Sequence, residues 1–115
     1  MARHNETGSQ AEEAVVYYLS QSGFKIIDRN WKTKWCEVDI IAKKDGCIYF
    51  VEVKYRSSSD QGGGFDYITP AKLQKMDLAA RSWVEIKGWR GEYTLSVAEV
   101  SGAGYAIDFL EDILS

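Results

Sequence analysis

The chain has 115 residues, 45% of them hydrophobic, with one proline, 14 basic and 17 acidic side chains and a net charge of −3. That size and apolar content predict a single domain over residues 1–115 that buries one core. No stretch approaches the roughly 18 apolar residues a membrane span needs. Met1 to Gln10 is polar and lacks the apolar centre of a signal peptide, so the expected location is cytoplasmic. Net acidity argues mildly against nucleic acid, which shifts attention from the sum of the charges to their distribution.

In chain order, Gly8 to Ser22 reads as a helix. Ser9 stands as cap, Glu12 stands in capping-box position, and Ala11, Val15, Tyr18, Leu19 and Ser22 share a stripe. Gly23 ends it. Phe24 to Trp31 alternates as a strand and leads into a polar turn around Lys32 and Lys34. Two further strands, Trp35 to Ala42 and Cys47 to Tyr55, flank Asp45-Gly46, the dipeptide of a two-residue hairpin turn. The second is almost continuously apolar and reads as a central strand covered on both faces. Ser57 to Gly64 is a serine- and glycine-rich loop, expected as a mobile flap and lacking the Lys-Ser/Thr of a phosphate loop. Thr69-Pro70 opens a second helix whose buried stripe is Leu73, Met76, Ala80, Trp83 and Val84, and Gly88 stops it. Glu92 to Val100 is another strand, and Tyr105 to Phe109 a short last one with a terminal helical turn.

The hairpin carries the chemistry. A two-residue turn pairs Lys44 with Cys47, and the same antiparallel register sets Asp39 opposite Glu52 and Glu37 opposite Lys54. Opposed side chains lie roughly 4.5–5.5 Å apart at Cβ. Two carboxylates at that separation repel by about 3 kcal/mol at an effective dielectric of ~20. A divalent cation would reverse the sign of that term, and hard oxygen ligands suit Mg²⁺ or Mn²⁺. Asp39 and Glu52 are the expected ligands, with the backbone carbonyl of Val53 as a third. Lys54 shares a face with Glu52 because strand periodicity is two, which sets its ammonium beside the metal to orient or help deprotonate a water. Glu12 enters from the first helix as an outer ligand or a partner of metal-bound water; helix capping is its simpler role. Cys36 and Cys47 do not face each other in this register and match no zinc spacing, and His4 is the only histidine. They read as buried thiols, which leaves any metal to carboxylates.

A basic and aromatic run holds Lys25, Arg29, Lys32 and Lys34 with Trp31 and Trp35. It reads either as a nucleic-acid contact or as a half-buried edge strand with lysine stems laid along apolar surface. Lys72 and Lys75 on the second helix are further candidate phosphate contacts, with a solvated helix surface as the alternative.

These residues resemble the PD-(D/E)xK nuclease superfamily, and more closely the YraN-type family of small, largely uncharacterised bacterial proteins, which are similar to archaeal Holliday-junction resolvases. Gly8 with Glu12, Tyr18-Leu19, Gly23 and Asn30-Trp31 follow the family's opening. Glu37-Val38-Asp39-Ile40-Ile41-Ala42 follows its first metal motif, and Phe50-Val51-Glu52-Val53-Lys54 with Arg56 follows its second. Pro70, Lys72 and Ala79-Ala80 follow its second helix. The resemblance implies an α/β restriction-endonuclease-like core: a helix, a three-stranded meander, a helix and a returning strand, with the mixed sheet flanked by helices. It implies metal binding by Asp39 and Glu52, catalysis by Lys54 with help from Glu12, Arg56 beside the basic residues above, and DNA, including branched or junction DNA, as substrate. Resolvase-like action would require two sites and hence a homodimer. The chain departs from the family pattern at Cys36 and Ala11, where glycines are usual, at Leu73, and at Thr94-Leu95-Ser96. The rival reading is a non-catalytic nucleic-acid-binding or adaptor protein that keeps the nuclease fold.

Overall fold

The computed structural model describes residues 6–56 and 68–113, with side chains from residue 8 onward. The elements are α1 (Glu6–Gln21), β1 (Lys25–Lys32), β2 (Glu37–Lys44), β3 (Cys47–Arg56), α2 (Pro70–Lys87), β4 (Glu92–Ser101) and β5 (Ala106–Leu110). The strands form one sheet in sequence order. β1, β2 and β3 are an antiparallel meander, β4 runs parallel to β3, and β5 returns antiparallel along β4. This is the expected α/β arrangement, consistent with a restriction-endonuclease-like core. Among the described residues no helix is long and apolar enough to cross a membrane.

Each helix covers one face of the sheet. Ala11, Val15 and Leu19 of α1 are fully buried against Ile40, Ala42, Val51, Ala98 and Val100. Ala79, Ala80 and Trp83 of α2 pack on Ile41, Ile48, Phe50 and Leu95. Phe50 packs edge-to-face with Trp83 and with Tyr93, with ring centroids 5.5 and 5.6 Å apart. Burying such a side chain stabilises the fold by about 1.5–3 kcal/mol. β3 therefore sends alternate residues into two cores, which is why its sequence is almost continuously apolar.

Local chemistry accounts for the boundaries that frame the site. Asp45 and Gly46 both take positive φ, 52° and 78°, as a two-residue hairpin turn requires, and Lys44 pairs with Cys47 as expected. α2 begins where Thr69 accepts a hydrogen bond from the Lys72 amide at 3.2 Å, with Pro70 in the first turn. It ends at Gly88, whose left-handed φ of 68° lets the chain leave the helix.

Three expectations are corrected. α1 already includes Glu6, so Ser9 and Glu12 lie inside it and form no capping box; no helix breaker stronger than Gly8 separates Glu6 from Ser9. Residues 111–113 form no helical turn, because β4 holds them alongside. The Thr94 hydroxyl bonds Asp112, the Ser96 hydroxyl bonds the Glu111 carbonyl, and the Ile113 amide donates to the Leu95 carbonyl. Glu37 pairs with Lys32 of β1 rather than forming a rung with Lys54. The expected flap, Ser57 to Gly64, lies outside the described residues.

Candidate functional site

The hairpin register runs evenly from Lys44 and Cys47 to Ile40 and Val51. One residue further the ladder gives way to a side chain: the Val53 amide donates to Asp39 Oδ2 at 2.8 Å. The Asp39 carboxylate thus stands where a β2 backbone acceptor would stand, close to the plane of the sheet. The neighbouring residues show the break in alternation. Val38 packs into the α2-side core and Ile40 into the α1-side core, although two residues apart in a regular strand share a face. Asn30, between the paired Arg29–Ile40 and Trp31–Val38 positions of β1, takes a φ of 50°, a conformation asparagine tolerates better than most residues.

The expectation that Asp39, Glu52 and Lys54 share one face is therefore revised. Glu52 and Lys54 project to the α2 side by alternation, while Asp39 lies between the faces. Glu52 Oε2 is 2.7 Å from Lys72 Nζ at the start of α2. Lys54 is exposed, and its neighbour in register on β4 is the buried Glu99. The Val53 carbonyl projects toward the same neighbour as the Val53 amide, since a strand residue directs both groups to one side. That is the side on which Asp39 accepts from the Val53 amide.

Burial pushes the Asp39 carboxyl from its ordinary 3.8 up to about 7; the Val53 hydrogen bond opposes the shift, while Glu52, Glu12 and Glu37 add to it. Burial likewise raises Glu12, against the lowering influence of Asn30 and Arg29. Asn30 Nδ2 donates to Glu12 Oε1 at 3.4 Å. Glu12 Oε2 is buried with no hydrogen-bond partner among the described residues. Four carboxylates thus act on one another at the point where the ladder opens. Such an assembly costs free energy unless a cation offsets it.

Two cavities meet at Asp39 and Glu37. One, of about 620 Å³, is lined by Lys32, Lys34, Trp35, Glu52, Lys72 and Lys75 among others. The second, of about 400 Å³, opens on the α1 side between Glu12, Asn30, Val53 and Tyr55. Of the expected phosphate contacts, Lys32, Lys34, Lys72 and Lys75 converge on the larger cleft. Lys25 does not; it pairs with Lys43 near the hairpin turn, at the other end of β1 and roughly 23 Å away along the strand. Arg29 is held by Glu13 at 2.8 Å and Arg56 by Glu99, so both guanidinium charges face carboxylates. Trp31 packs against the α2-side core, whereas Trp35 stands out from the surface. Cys36 and Cys47 are free and half-buried rather than fully buried.

Sequence reasoning missed Asn30 as the partner of Glu12 and Glu99 as the neighbour of Lys54. An asparagine inside an alternating strand was a signal for the first. Nothing local announced the second, because the crossover from β3 to β4 creates it.

Among the described residues no group of three or more histidine, cysteine or acidic side chains is placed to hold a metal ion by itself. By donor type alone, carboxylate and carbonyl oxygens are ligands that a hard cation prefers. Mg²⁺ commonly takes one or two carboxylates and keeps several waters, which matches Asp39 and Glu52 with the Val53 carbonyl. The unpartnered Glu12 oxygen fits a hydrogen bond from a metal-bound water.

A model of the uncharacterised protein family UPF0102 matches residues 11–108. A UPF0102 protein of Flavobacterium johnsoniae is 35% identical over 97% of this chain and 96% of its own length. One from Christiangramia forsetii is 32% identical over 97% and 96%, and one from Flavobacterium psychrophilum is 40% identical over 73% and 71%. Matched across most of its length by the family model and by full-length relatives, the chain belongs to UPF0102, the YraN-type family that its motifs resemble.

Proposed function

We propose that the protein is a Mg²⁺- or Mn²⁺-dependent phosphodiesterase acting on DNA. The observation that carries this reading is Asp39, drawn out of the strand alternation onto the Val53 amide and raised to about 7 by burial and three neighbouring carboxylates. Clustered carboxylates around a buried one are costly to the fold, and a cation would offset that cost. Asp39, Glu52 and the Val53 carbonyl would bind the ion, and Glu12 would hold one of its waters. The ion would supply an activated water and offset charge on the leaving oxygen. Lys54, exposed and on the same side of β3 as Glu52, would orient the attacking water and stabilise charge on the phosphate. Lys32, Lys34, Lys72 and Lys75 would hold the flanking phosphates.

Cleavage of single-stranded, duplex and branched DNA with Mg²⁺ and Mn²⁺ tests the reading. Activity should appear with either ion, vanish in chelator, and fall in Asp39→Asn and Lys54→Ala; no cleavage, or equal cleavage by the variants, refutes it. One observation favours a second reading, a binding protein without catalysis. Lys72 already neutralises Glu52, so the site is partly satisfied without metal. Binding to DNA that is indifferent to metal, with no cutting, would support it.

A further inference from the structure

Trp35 is 80% exposed, more than any other large hydrophobic residue among those described. It sits at the tip of the β1–β2 turn on the wall of the cleft that holds Asp39 and Glu52. The turn is tightly bonded. Thr33 Oγ1 accepts from the amides of Trp35 and Cys36, both at 3.1 Å, and the Thr33 amide donates to the Cys36 carbonyl at 2.8 Å. Burial explains none of this, because the indole packs into neither core. Lys34 Nζ lies 5.3 Å from the ring centroid, adding positive charge to the ring face. Lys32, Lys72 and Lys75 line the same cleft.

An exposed indole among ammonium groups is the combination that binds unpaired nucleotides: the ring stacks on a base while the cations hold the neighbouring phosphates. Bases inside a duplex have both faces covered by their neighbours, so only an unpaired or terminal base can lie flat on the ring. Trp35 and Asp39 are at most roughly 14 Å apart along the chain, so a base on the indole would lie within a few nucleotides of the candidate metal ligands.

We infer that Trp35 stacks on an unpaired base and directs the cleft toward DNA with single-stranded character beside the scissile phosphate. The inference rests on reading this cleft as the DNA site and adds the structure of the substrate. Binding is measured in the Asp39→Asn background in EDTA, so that no strand is cut. The probes are oligothymidine and a duplex of equal phosphate number whose two ends are capped by rigid non-nucleotide linkers, so that it holds no unpaired or open terminal base. Oligothymidine should bind more tightly. Trp35→Ala should weaken it about 5- to 160-fold, the range for loss of one stacked base, and should leave the closed duplex nearly unchanged. Trp35→Phe should retain most of the affinity. Scanning single abasic positions along the strand should find one whose loss matches Trp35→Ala and adds little to that variant.

Equal weakening of strand and duplex by Trp35→Ala, or no change in either, overturns the inference. So does a change in oligomeric state with unchanged DNA binding, which would make Trp35 a contact between copies. The native Asp39 protein, assayed for cleavage in Mg²⁺, separates the two readings. Trp35-dependent strand binding without cleavage sinks the phosphodiesterase and keeps the stacking role. Cleavage that is indifferent to Trp35→Ala, with indifferent binding, does the reverse.

Discussion

The two ends of the β2–β3 hairpin behave differently. Near the turn, from Lys44 and Cys47 to Ile40 and Val51, the backbone ladder is regular, and Ile41, Ile48 and Phe50 are buried beneath α2. At the other end the ladder is taken over by the Asp39 side chain, the alternation of β2 breaks, and four carboxylates act on one another. The turn end supplies packing energy, and that surplus tolerates a far end that is poor in apolar contact and rich in like charge. A candidate site of this kind needs a rigid support close by, because ligands held loosely lose the geometry that makes them useful.

Substitutions at the two ends should separate activity from stability. The largest expected effect lies at the open end: Lys54→Ala should slow cleavage by about 10²–10⁴-fold, the usual range for loss of a proton-handling group, while its effect on thermal unfolding stays small beside that of a core substitution because the side chain is exposed. A large drop in melting temperature would show that Lys54 is structural instead. At the turn end, Phe50→Ala should cost about 3–5 kcal/mol of stability, measured by denaturant unfolding, because the ring fills the space between Trp83 and Tyr93. A loss under 1 kcal/mol would contradict the packing described for that end.

The titration of Asp39 sharpens the contrast. Its value in the folded protein is raised, so the folded state binds the proton more tightly than the unfolded chain does. Its contribution to stability is present below about 4 and is lost as the pH rises through about 7. Without metal, Asp39→Asn should therefore stabilise the protein at pH 8 and do little at pH 4, because Asn can still accept from the Val53 amide. Metal competes with that proton, so Mg²⁺ affinity by calorimetry should rise as the pH passes 7; a flat profile would remove Asp39 from the ligand set. The smallest effect belongs to Lys72. Its contact with Glu52 is partly exposed, in a class worth about 0–1 kcal/mol, so Lys72→Met should tighten Mg²⁺ binding by up to roughly fivefold. Weaker metal binding in that variant would mean that Lys72 supports Glu52 rather than competing for it.

Much of this comparison was legible along the chain. Asp45-Gly46 set the hairpin register, Thr69-Pro70 the start of α2 and Gly88 its end, each through a local conformational requirement. The candidate ligands Asp39 and Glu52 followed from that register. Their shared face did not, because alternation assumes a regular strand and β2 is irregular where Asn30 stands opposite Asp39. Along the chain Glu12 suits a helix cap as well as an outer metal ligand, because Ser9 precedes it by the right spacing; only the cap falls, since the helix begins earlier. Lys25 lies close to Lys32 and Lys34 in sequence, yet a strand carries its two ends far apart.

By itself, then, the sequence determined the elements, the turn and the identity of the charged residues, since periodicity, caps and turn chemistry act over a few neighbouring residues. Tertiary structure alone decided that Asp39 leaves its face for the Val53 amide, that Asn30 meets Glu12, that Lys72 reaches Glu52, and that Trp35 stands open beside them. Those relations depend on how two helices and a parallel crossover pack onto the sheet, which brings together residues that no local rule connects.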